Sequence, residues 1–369
     1  MMDARRLRLV FAGGGTGGHL YPALAIADEL RRRHPNALIT FAGAAGRIES
    51  RVVPAAGYPF VALRVSGFPR RPGLAMLAFP VKLALALAQS LALILRAKPD
   101  VVVGTGGFAS GPVVAVAQAF RCRTLLQEQN SVPGVTTRLL ARHADEVHVT
   151  YPGSAGFLRR REHVRVSGNP TRRAMGSVAR DAAAAYFNLD PSKRTLLIFG
   201  GSRGASSINR AIAPGVPALA GDGVQIVWQT GEEEFDRLRE AGGPTPAGVR
   251  MYPYIDNMEY AYAACDLAVC RAGATSLAEL TLTGVPSILI PYPYAAADHQ
   301  TGNARSMEAA GASLCMSDRD AAERLLPEIR ALLGDRARLG AMREAARRLA
   351  RPGAAETIAD AVERLAAER

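Results

Sequence analysis

Cysteine is scarce in this 369-residue chain, and the few present lie apart. Cys122, Cys265, Cys270 and Cys315 form no C-x-x-C pair, and their spacing suits neither a zinc site nor a disulfide framework. They read as small core residues of a protein kept in a reducing compartment. No Gly-Lys-Ser/Thr follows a glycine loop, which removes the Walker A reading. The second strand runs out as Phe41-Ala42-Gly43-Ala44-Ala45-Gly46-Arg47 without an acid. A nicotinamide-dependent oxidoreductase wants its ribose-binding carboxylate there, roughly 20 residues past the glycine loop. The first apolar run, Leu9 to Ala12, is too short for a secretory signal and leads straight into glycines. No recognisable nucleic-acid module appears. Asp318-Arg319-Asp320 spells D-x-D, the metal motif of other sugar-nucleotide enzymes. It opens a polar helical stretch far from any glycine loop, so capping is expected and no metal ligand is assigned.

What is present divides the chain in two. At roughly 100–200 residues per domain, two domains are expected, each long enough for its own core. Lys and Arg outnumber Asp and Glu by 22 to 9 over residues 1–168, but number 23 against 24 over the remainder. All of the net charge of +12 therefore lies in the first half. Such asymmetry suggests an anionic partner, nucleic acid or acidic lipid. Continuous Val/Ile/Leu runs alternate with helical periodicity throughout, as parallel strands buried on both faces require. The expected strands are 7–12, 38–42, 60–65, 101–104, 124–127, 146–150 and 164–167, then 195–199, 225–229, 249–252, 267–270 and 287–291. The fold class is therefore α/β, two Rossmann-like domains. The boundary is expected near Gly168-Asn169-Pro170, giving domains 1–168 and 169–353, with a last helix, 354–369, crossing back to the first.

The loops after the strands carry the chemistry. Gly13-Gly14-Gly15-Thr16-Gly17-Gly18-His19 joins the first strand to a helix, so backbone N–H groups can approach a polar or anionic ligand without Cβ obstruction. Gly104 to Pro112, Gln127 to Gly134, Phe199 to Ser207 and Cys270 to Glu279 repeat the design. Polar residues at the carboxyl ends of parallel strands sit where open α/β sheets bind ligands. Glu128 and Asn130 are candidates on that ground, with turn capping as the alternative. Ser202, with Arg203 beside it, could hold a pyrophosphate. Ala274 to Ser276 would offer backbone donors at a helix start, Glu279 could accept from two ribose hydroxyls or simply stabilise that helix start, and Gln300 could bond sugar hydroxyls.

Residues 68–98 are a separate case. Arg70 and Arg71 lie in a basic turn, followed by an apolar run from Leu74 to Leu95 broken by Pro80, Lys82, Gln89 and Ser90. The run could nominally span a bilayer. A helix is expected from Val81, with Leu83–Leu95 buried in the domain core. Leu74, Met76, Leu77 and Phe79 are expected to precede it as an apolar tip. Rimmed by Arg70, Arg71 and Lys82, that tip suits shallow insertion at an anionic membrane face.

Taken together the motifs resemble the MurG family. The matching text is Gly14-Gly15-Thr16-Gly17-Gly18-His19, Gly106-Gly107-Phe108 with Ser110-Gly111-Pro112, Glu128-Gln129-Asn130, Gly168-Asn169-Pro170, Gly200-Gly201-Ser202 with Gly204-Ala205, Arg271-Ala272-Gly273-Ala274 and Asp298-His299-Gln300. The resemblance covers nearly the whole chain. It implies a GT-B fold, two Rossmann-like domains facing a cleft. It implies transfer of N-acetylglucosamine from UDP-N-acetylglucosamine to undecaprenyl-pyrophosphoryl-N-acetylmuramyl-pentapeptide, with no cofactor. By matched position, Thr16, Gly17, Gly18, Asn130, Arg172, Ser202, Ile255, Ala274, Thr275, Ser276, Leu277, Ala278, Glu279 and Gln300 would contact the donor. Ile255 would meet the uracil through its backbone. Residues 70–82 would be the membrane patch, on the cytoplasmic face of the inner membrane, with cell-wall synthesis proteins as further partners. Gln127 and Arg203 depart from the family's usual His and Gln. The transfer would be inverting, and His19, at a helix start where positive charge is disfavoured, is the candidate base; a capping histidine is the alternative. The rival readings are the oxidoreductase above, a non-enzymatic binder of membrane or nucleic acid, and a transferase acting on a diacylglycerol lipid.

Overall fold

The computed structural model describes residues 6–67, 74–201, 204–241, 243–295 and 298–368; of 74 and 75 it describes the backbone alone. Arg70, Arg71, Ser202 and Arg203 therefore lie outside the described residues, as does the side chain of Leu74.

The chain divides into two compact units, residues 1–172 with 353–369, and residues 173–352. In the first, β1 (Arg8–Gly13), β2 (Leu38–Ala44), β3 (Phe60–Leu63), β4 (Val101–Gly106), β5 (Arg123–Glu128), β6 (Glu146–Val149) and β7 (Val164–Val166) form one sheet, ordered β3-β2-β1-β4-β5-β6-β7. In the second, β8 (Thr195–Phe199), β9 (Gln225–Gln229), β10 (Val249–Tyr252), β11 (Leu267–Cys270), β12 (Ser287–Leu289) and β13 (Ser313–Cys315) are ordered β10-β9-β8-β11-β12-β13. Every pairing is parallel. Both orders are the Rossmann winding, which reverses direction between β1 and β4 and again between β8 and β11. In open sheets of this winding, ligands bind at that switch, outside the carboxyl ends of the strands.

Period-two alternation feeds both sheet faces. Leu9 and Phe11 of β1 pack with Leu20, Leu24 and Ile26 of the helix Gly17–Arg33, while Val10 and Ala12 face Val113, Val114 and Ala117 on the other side. Strands so placed must be apolar throughout, which is why they were legible as continuous runs. β13 was not expected: it has three residues, two of them only half-buried, and carries too little pattern to separate from a turn.

The last helix, Ala354–Ala367, starts at Gly353, whose φ of +78° suits glycine. Ile358, Val362 and Leu365 are buried against the helix Gly17–Arg33, each contributing about 1.5–3 kcal/mol of burial. Charges rim that contact: Arg33 pairs with Asp360 and Glu363, and Arg364 with Glu146.

The helix over Leu74–Ala97 differs from expectation in two ways. It is continuous through Pro80, so Met76, Leu77 and Phe79 occupy its first turns and do not precede it. Proline removes one N–H from the ladder, and at exposed Pro80 water can serve the Met76 carbonyl left over. Second, Leu83–Leu95 is not buried all round. Ala86, Ser90, Leu93 and Ile94 face inward, whereas Leu77, Val81, Leu85 and Leu95 are 77%, 62%, 45% and 54% exposed. Over Met76–Ala97 the helix is long and apolar enough to cross a membrane by length and composition. The inward residues and Gln89, whose side chain accepts the Arg64 N–H at 2.9 Å, fix it to its own domain.

Candidate active site

In the first unit the loops after β1, β4 and β5 converge at the switch point. Gly14 and Gly15 have φ of +144° and +86°. A Cβ on Gly107, after β4, would stand 2.3 Å from the Gly14 carbonyl oxygen, so the β1 and β4 loops touch backbone to backbone. The β1 loop also hangs on Glu49. This carboxylate, 1% exposed, accepts the Gly15 N–H through both oxygens at 3.0 Å and the Ala44 N–H at 2.9 Å. Glu49 escaped sequence reading because it lies beyond the β2 turn, where an acid serves equally well as an ordinary first-turn residue of a helix.

Thr16 caps the following helix in an extended conformation, with no side-chain cap bond, and Gly17, Gly18 and His19 form its first turn. His19 lies in a fixed network. Its Nδ1 is 3.1 Å from the Thr105 carbonyl oxygen and 2.9 Å from Gln129 Oε1. The Gln129 amide donates to that same carbonyl at 2.8 Å and to Gln127 Oε1, which places its oxygen toward the histidine. Both Nδ1 partners are acceptors, so in the neutral ring Nδ1 carries the hydrogen and Nε2 carries the lone pair. Thr105 Oγ1 in turn donates to the His19 carbonyl at 2.8 Å. Gln127 is fully buried and donates to Asn169 Oδ1 at 3.4 Å.

Glu128 makes the turn-capping hydrogen bonds of the alternative reading. It is 2% exposed, and its oxygens accept from the Asn130 N–H and side-chain amide, both at 3.1 Å, and from Gly134 N at 3.2 Å. It shapes the loop, and half-buried Asn130 is what that loop presents. Arg172 lies 5.7 Å over the ring of Tyr21, on the helix that follows the β1 loop.

In the second unit the β8 loop, the helix Ala274–Thr283 after β11 and the loop after β12 gather at the corresponding edge. Gly200 and Gly204 are forced by close backbone: a Cβ would meet Ala205 N at 2.2 Å and Thr230 O at 2.3 Å. Gln229, at the end of β9, donates to Gly201 O and accepts from Ile255 N, both at 2.9 Å. The Ile255 N–H is thus engaged, and its carbonyl is the backbone group left to meet a ligand. Gly273 caps Ala274–Thr283 without a side-chain bond, and the first turn, Ala274, Thr275 and Ser276, follows the carboxyl end of β11. The Leu277 side chain is 2% exposed in the core, and its N–H bonds Gly273 O at 3.0 Å. Ala278 is half-buried. Glu279 is 9% exposed, and its Oε2 accepts the Tyr262 hydroxyl at 2.9 Å. Burial, with that carboxylate beside it, holds the Tyr262 phenol far above its ordinary pKa, so it remains a donor. Gln300 Oε1 accepts the Tyr292 N–H at 2.9 Å and shapes the loop after β12.

Asp318 also departs from expectation. It lies just past β13 and is close to the β8 loop, not far from it. It accepts from Ser207 at 2.7 Å and from Arg271 at 2.5 Å, while Arg271 also donates to Ile290 O and Pro291 O. Parallel strands bring their carboxyl ends to one edge, so residues remote in sequence become neighbours. The D-x-D carboxylate is committed to a loop-tying arginine. Among the described residues no group of three or more His, Cys, Asp or Glu could hold a metal. The four cysteines are free thiols, and burial pushes those of Cys265 and Cys270 well above their ordinary pKa.

Known proteins share this arrangement. The chain matches the Glycosyltransferase family 28 N-terminal domain over residues 9–149 and the Glycosyltransferase family 28 C-terminal domain over residues 195–365. It is 47% identical to the UDP-N-acetylglucosamine--N-acetylmuramyl-(pentapeptide) pyrophosphoryl-undecaprenol N-acetylglucosamine transferase of Chlorobaculum tepidum, across 96% of this chain and 98% of that one. It is 46% identical to the protein of the same description from Salinibacter ruber, across 97% and 96%. The crystal structure of Acinetobacter baumannii MurG superposes with a TM-score of 0.73 at 25% identity, covering 97% of this chain and 99% of that one. With near-half identity sustained from end to end on a doubled Rossmann architecture, the chain belongs to the MurG family of GT-B glycosyltransferases.

Proposed function

We propose that the protein transfers N-acetylglucosamine from UDP-N-acetylglucosamine to the C4 hydroxyl of undecaprenyl-pyrophosphoryl-N-acetylmuramyl-pentapeptide, with inversion at the anomeric carbon. The observation that carries the reading is the fixed His19 imidazole, whose Nδ1 is held by two acceptors so that Nε2 presents its lone pair. Nε2 takes the proton of the C4 hydroxyl as its oxygen bonds to the anomeric carbon. The bond from that carbon to the diphosphate oxygen breaks on the opposite face, so an α-linked donor gives a β-linked product. UDP leaves with the negative charge.

The second unit is the donor-binding domain in this reading. The Ile255 carbonyl accepts from uracil N3–H, and Glu279 accepts from the ribose hydroxyls. The helix-start N–H groups of Ala274 to Ser276, with the loop through Ser202, stabilise the departing diphosphate. That stabilisation needs no metal. Gln300 meets sugar hydroxyls, and Thr16, Gly17, Gly18, Asn130 and Arg172 complete the donor contacts. Glu128 acts through Asn130 by holding its loop.

The first unit is the acceptor- and membrane-facing domain. Support comes from its concentrated positive charge and from the exposed apolar flank of Leu74–Ala97, which includes Met76, Leu77, Val81 and Leu83 beside Lys82. The helices Ser110–Ala119 and Val135–Leu140 pack successively beside it, and exposed Phe120, Val135 and Leu139 extend the apolar surface next to Arg138. Such a surface suits peripheral attachment to the anionic cytoplasmic face of the inner membrane. The function is tested by incubation with UDP-N-acetylglucosamine and a panel of lipid-linked acceptors, muramyl-pentapeptide and diacylglycerol included. A β-linked N-acetylhexosamine added to the muramyl lipid is expected. Transfer to diacylglycerol alone, or none, contradicts the reading.

A further inference from the structure

The β1 glycine loop has the outline of a phosphate cradle, and an internal anion already occupies it. The Glu49 carboxylate accepts the Gly15 N–H through both oxygens, each at 3.0 Å, and the Ala44 N–H at 2.9 Å. A Cβ on Gly14 would lie 2.3 Å from Glu49 Oε1, and one on Gly43 would lie 2.6 Å from Glu49 Cγ. Loop, turn and carboxylate are therefore shaped around each other, with the side chain 1% exposed. The N–H group at Gly15, which a dinucleotide-binding loop would turn to a pyrophosphate, is turned inward. A buried carboxylate is tolerated only when its lone pairs are met by donors, so the arrangement is rigid in both directions.

We propose that Glu49 is a positioning residue for the transfer reaction, a built-in anion that closes the β1 loop to phosphate and fixes the helix start carrying His19. The loop that Glu49 holds is continuous with that first turn, and it abuts the β4 loop, where Thr105 and Gly107 meet His19 and Gly14. The inference rests on the transferase reading above.

Glu49→Gln tests it. The substitution removes the charge and leaves a single acceptor oxygen; its NH2 then points donor to donor at a loop N–H. Three measurements are made on the full chain: turnover with UDP-N-acetylglucosamine and acceptor, affinity for uridine monophosphate, and hydrogen exchange over residues 13–24. Expected are a loss of about 10- to 100-fold in kcat, from one buried donor left unmet, nucleotide affinity within about twofold, and faster exchange confined to residues 13–24. Gly14→Ala, which drives a methyl into the same carboxylate, should reproduce all three should Glu49→Gln not fold. Wild-type kcat together with wild-type exchange over 13–24 would overturn the proposal. So would a loss of nucleotide affinity as large as the loss of kcat. The exchange arm needs no catalysis, so a wild-type protein inactive on these substrates would refute the transferase reading while Glu49 is still judged.

Discussion

His19 gains its meaning from the atoms around one ring nitrogen. With Thr105 O and Gln129 Oε1 both accepting at Nδ1, the tautomer is set by neighbours that are themselves buried and bonded. Gln127 Oε1 accepts from the Gln129 amide, so Gln127 supports the residue that holds the His19 ring. His19→Ala is expected to lower kcat by roughly 10²–10⁴-fold with nucleotide affinity unchanged, as measured by turnover and by UDP titration. Equal loss of both would assign His19 to structure. The glycine loops and His19 were legible because small residues followed by polar ones after an apolar run have few other uses. Glu49, Gln229 and the Arg271–Asp318 pair were not, because each acts on a segment distant in sequence, and no local pattern marks a side chain that reaches across a sheet edge.

Among the elements, the helix Leu74–Ala97 is the least ordinary. Its composition would suit a core helix, yet much of its length faces outward, and among the described residues only the i, i+4, i+7, i+8 set Ala86, Ser90, Leu93 and Ile94 is buried. Composition alone could not separate these cases, since an all-round apolar helix is indifferent to which face is covered. Replacing Leu77 and Phe79 by Glu is expected to weaken binding to anionic vesicles at least about tenfold, through lost apolar area and added repulsion. Catalysis on a soluble acceptor analogue should stay unchanged. Vesicle flotation and a soluble assay check the two halves, and unchanged flotation would remove the membrane role from this helix. The strands, by contrast, were nearly all legible, because burial on both faces leaves an uninterrupted β-branched signature that no surface element shares.

At the scale of the molecule, helix Ala354–Ala367 closes the first unit along a seam that holds titratable groups, and a pH-dependent stability is expected there. His148 sits in β6 between Glu146 and Ser167, with Arg364 of the last helix on the same carboxylate. Burial is the largest influence on His148 and lowers its pKa below 6.5, with Glu146 opposing; burial and then Arg160 lower that of His163. The unfolded chain therefore takes up these protons at higher pH than the folded one. Stability is complete above about pH 6.5 and is lost as pH falls toward the folded values, by at most about 1.4 kcal/mol per pH unit for each histidine. For Glu146, burial alone would raise the pKa, but hydrogen bonds from Arg364 and His148 bring it below 4.5, so that carboxylate withdraws its contribution only at lower pH. Chemical denaturation between pH 7.5 and 5.5 should show the decline, and His148→Gln should flatten it. An identical slope in the variant would place the pH dependence elsewhere.

The central proposal is a division of labour, with the nucleotide on the second unit and the acceptor on the first. A crystal structure of the complex with UDP tests it most directly. The uracil is expected against the Ile255 carbonyl, the ribose on Glu279 and the diphosphate at the helix start Ala274–Ser276, with Gly15 still bonded to Glu49. UDP seated on the β1 loop in place of the Glu49 carboxylate, with the second unit empty, would contradict it.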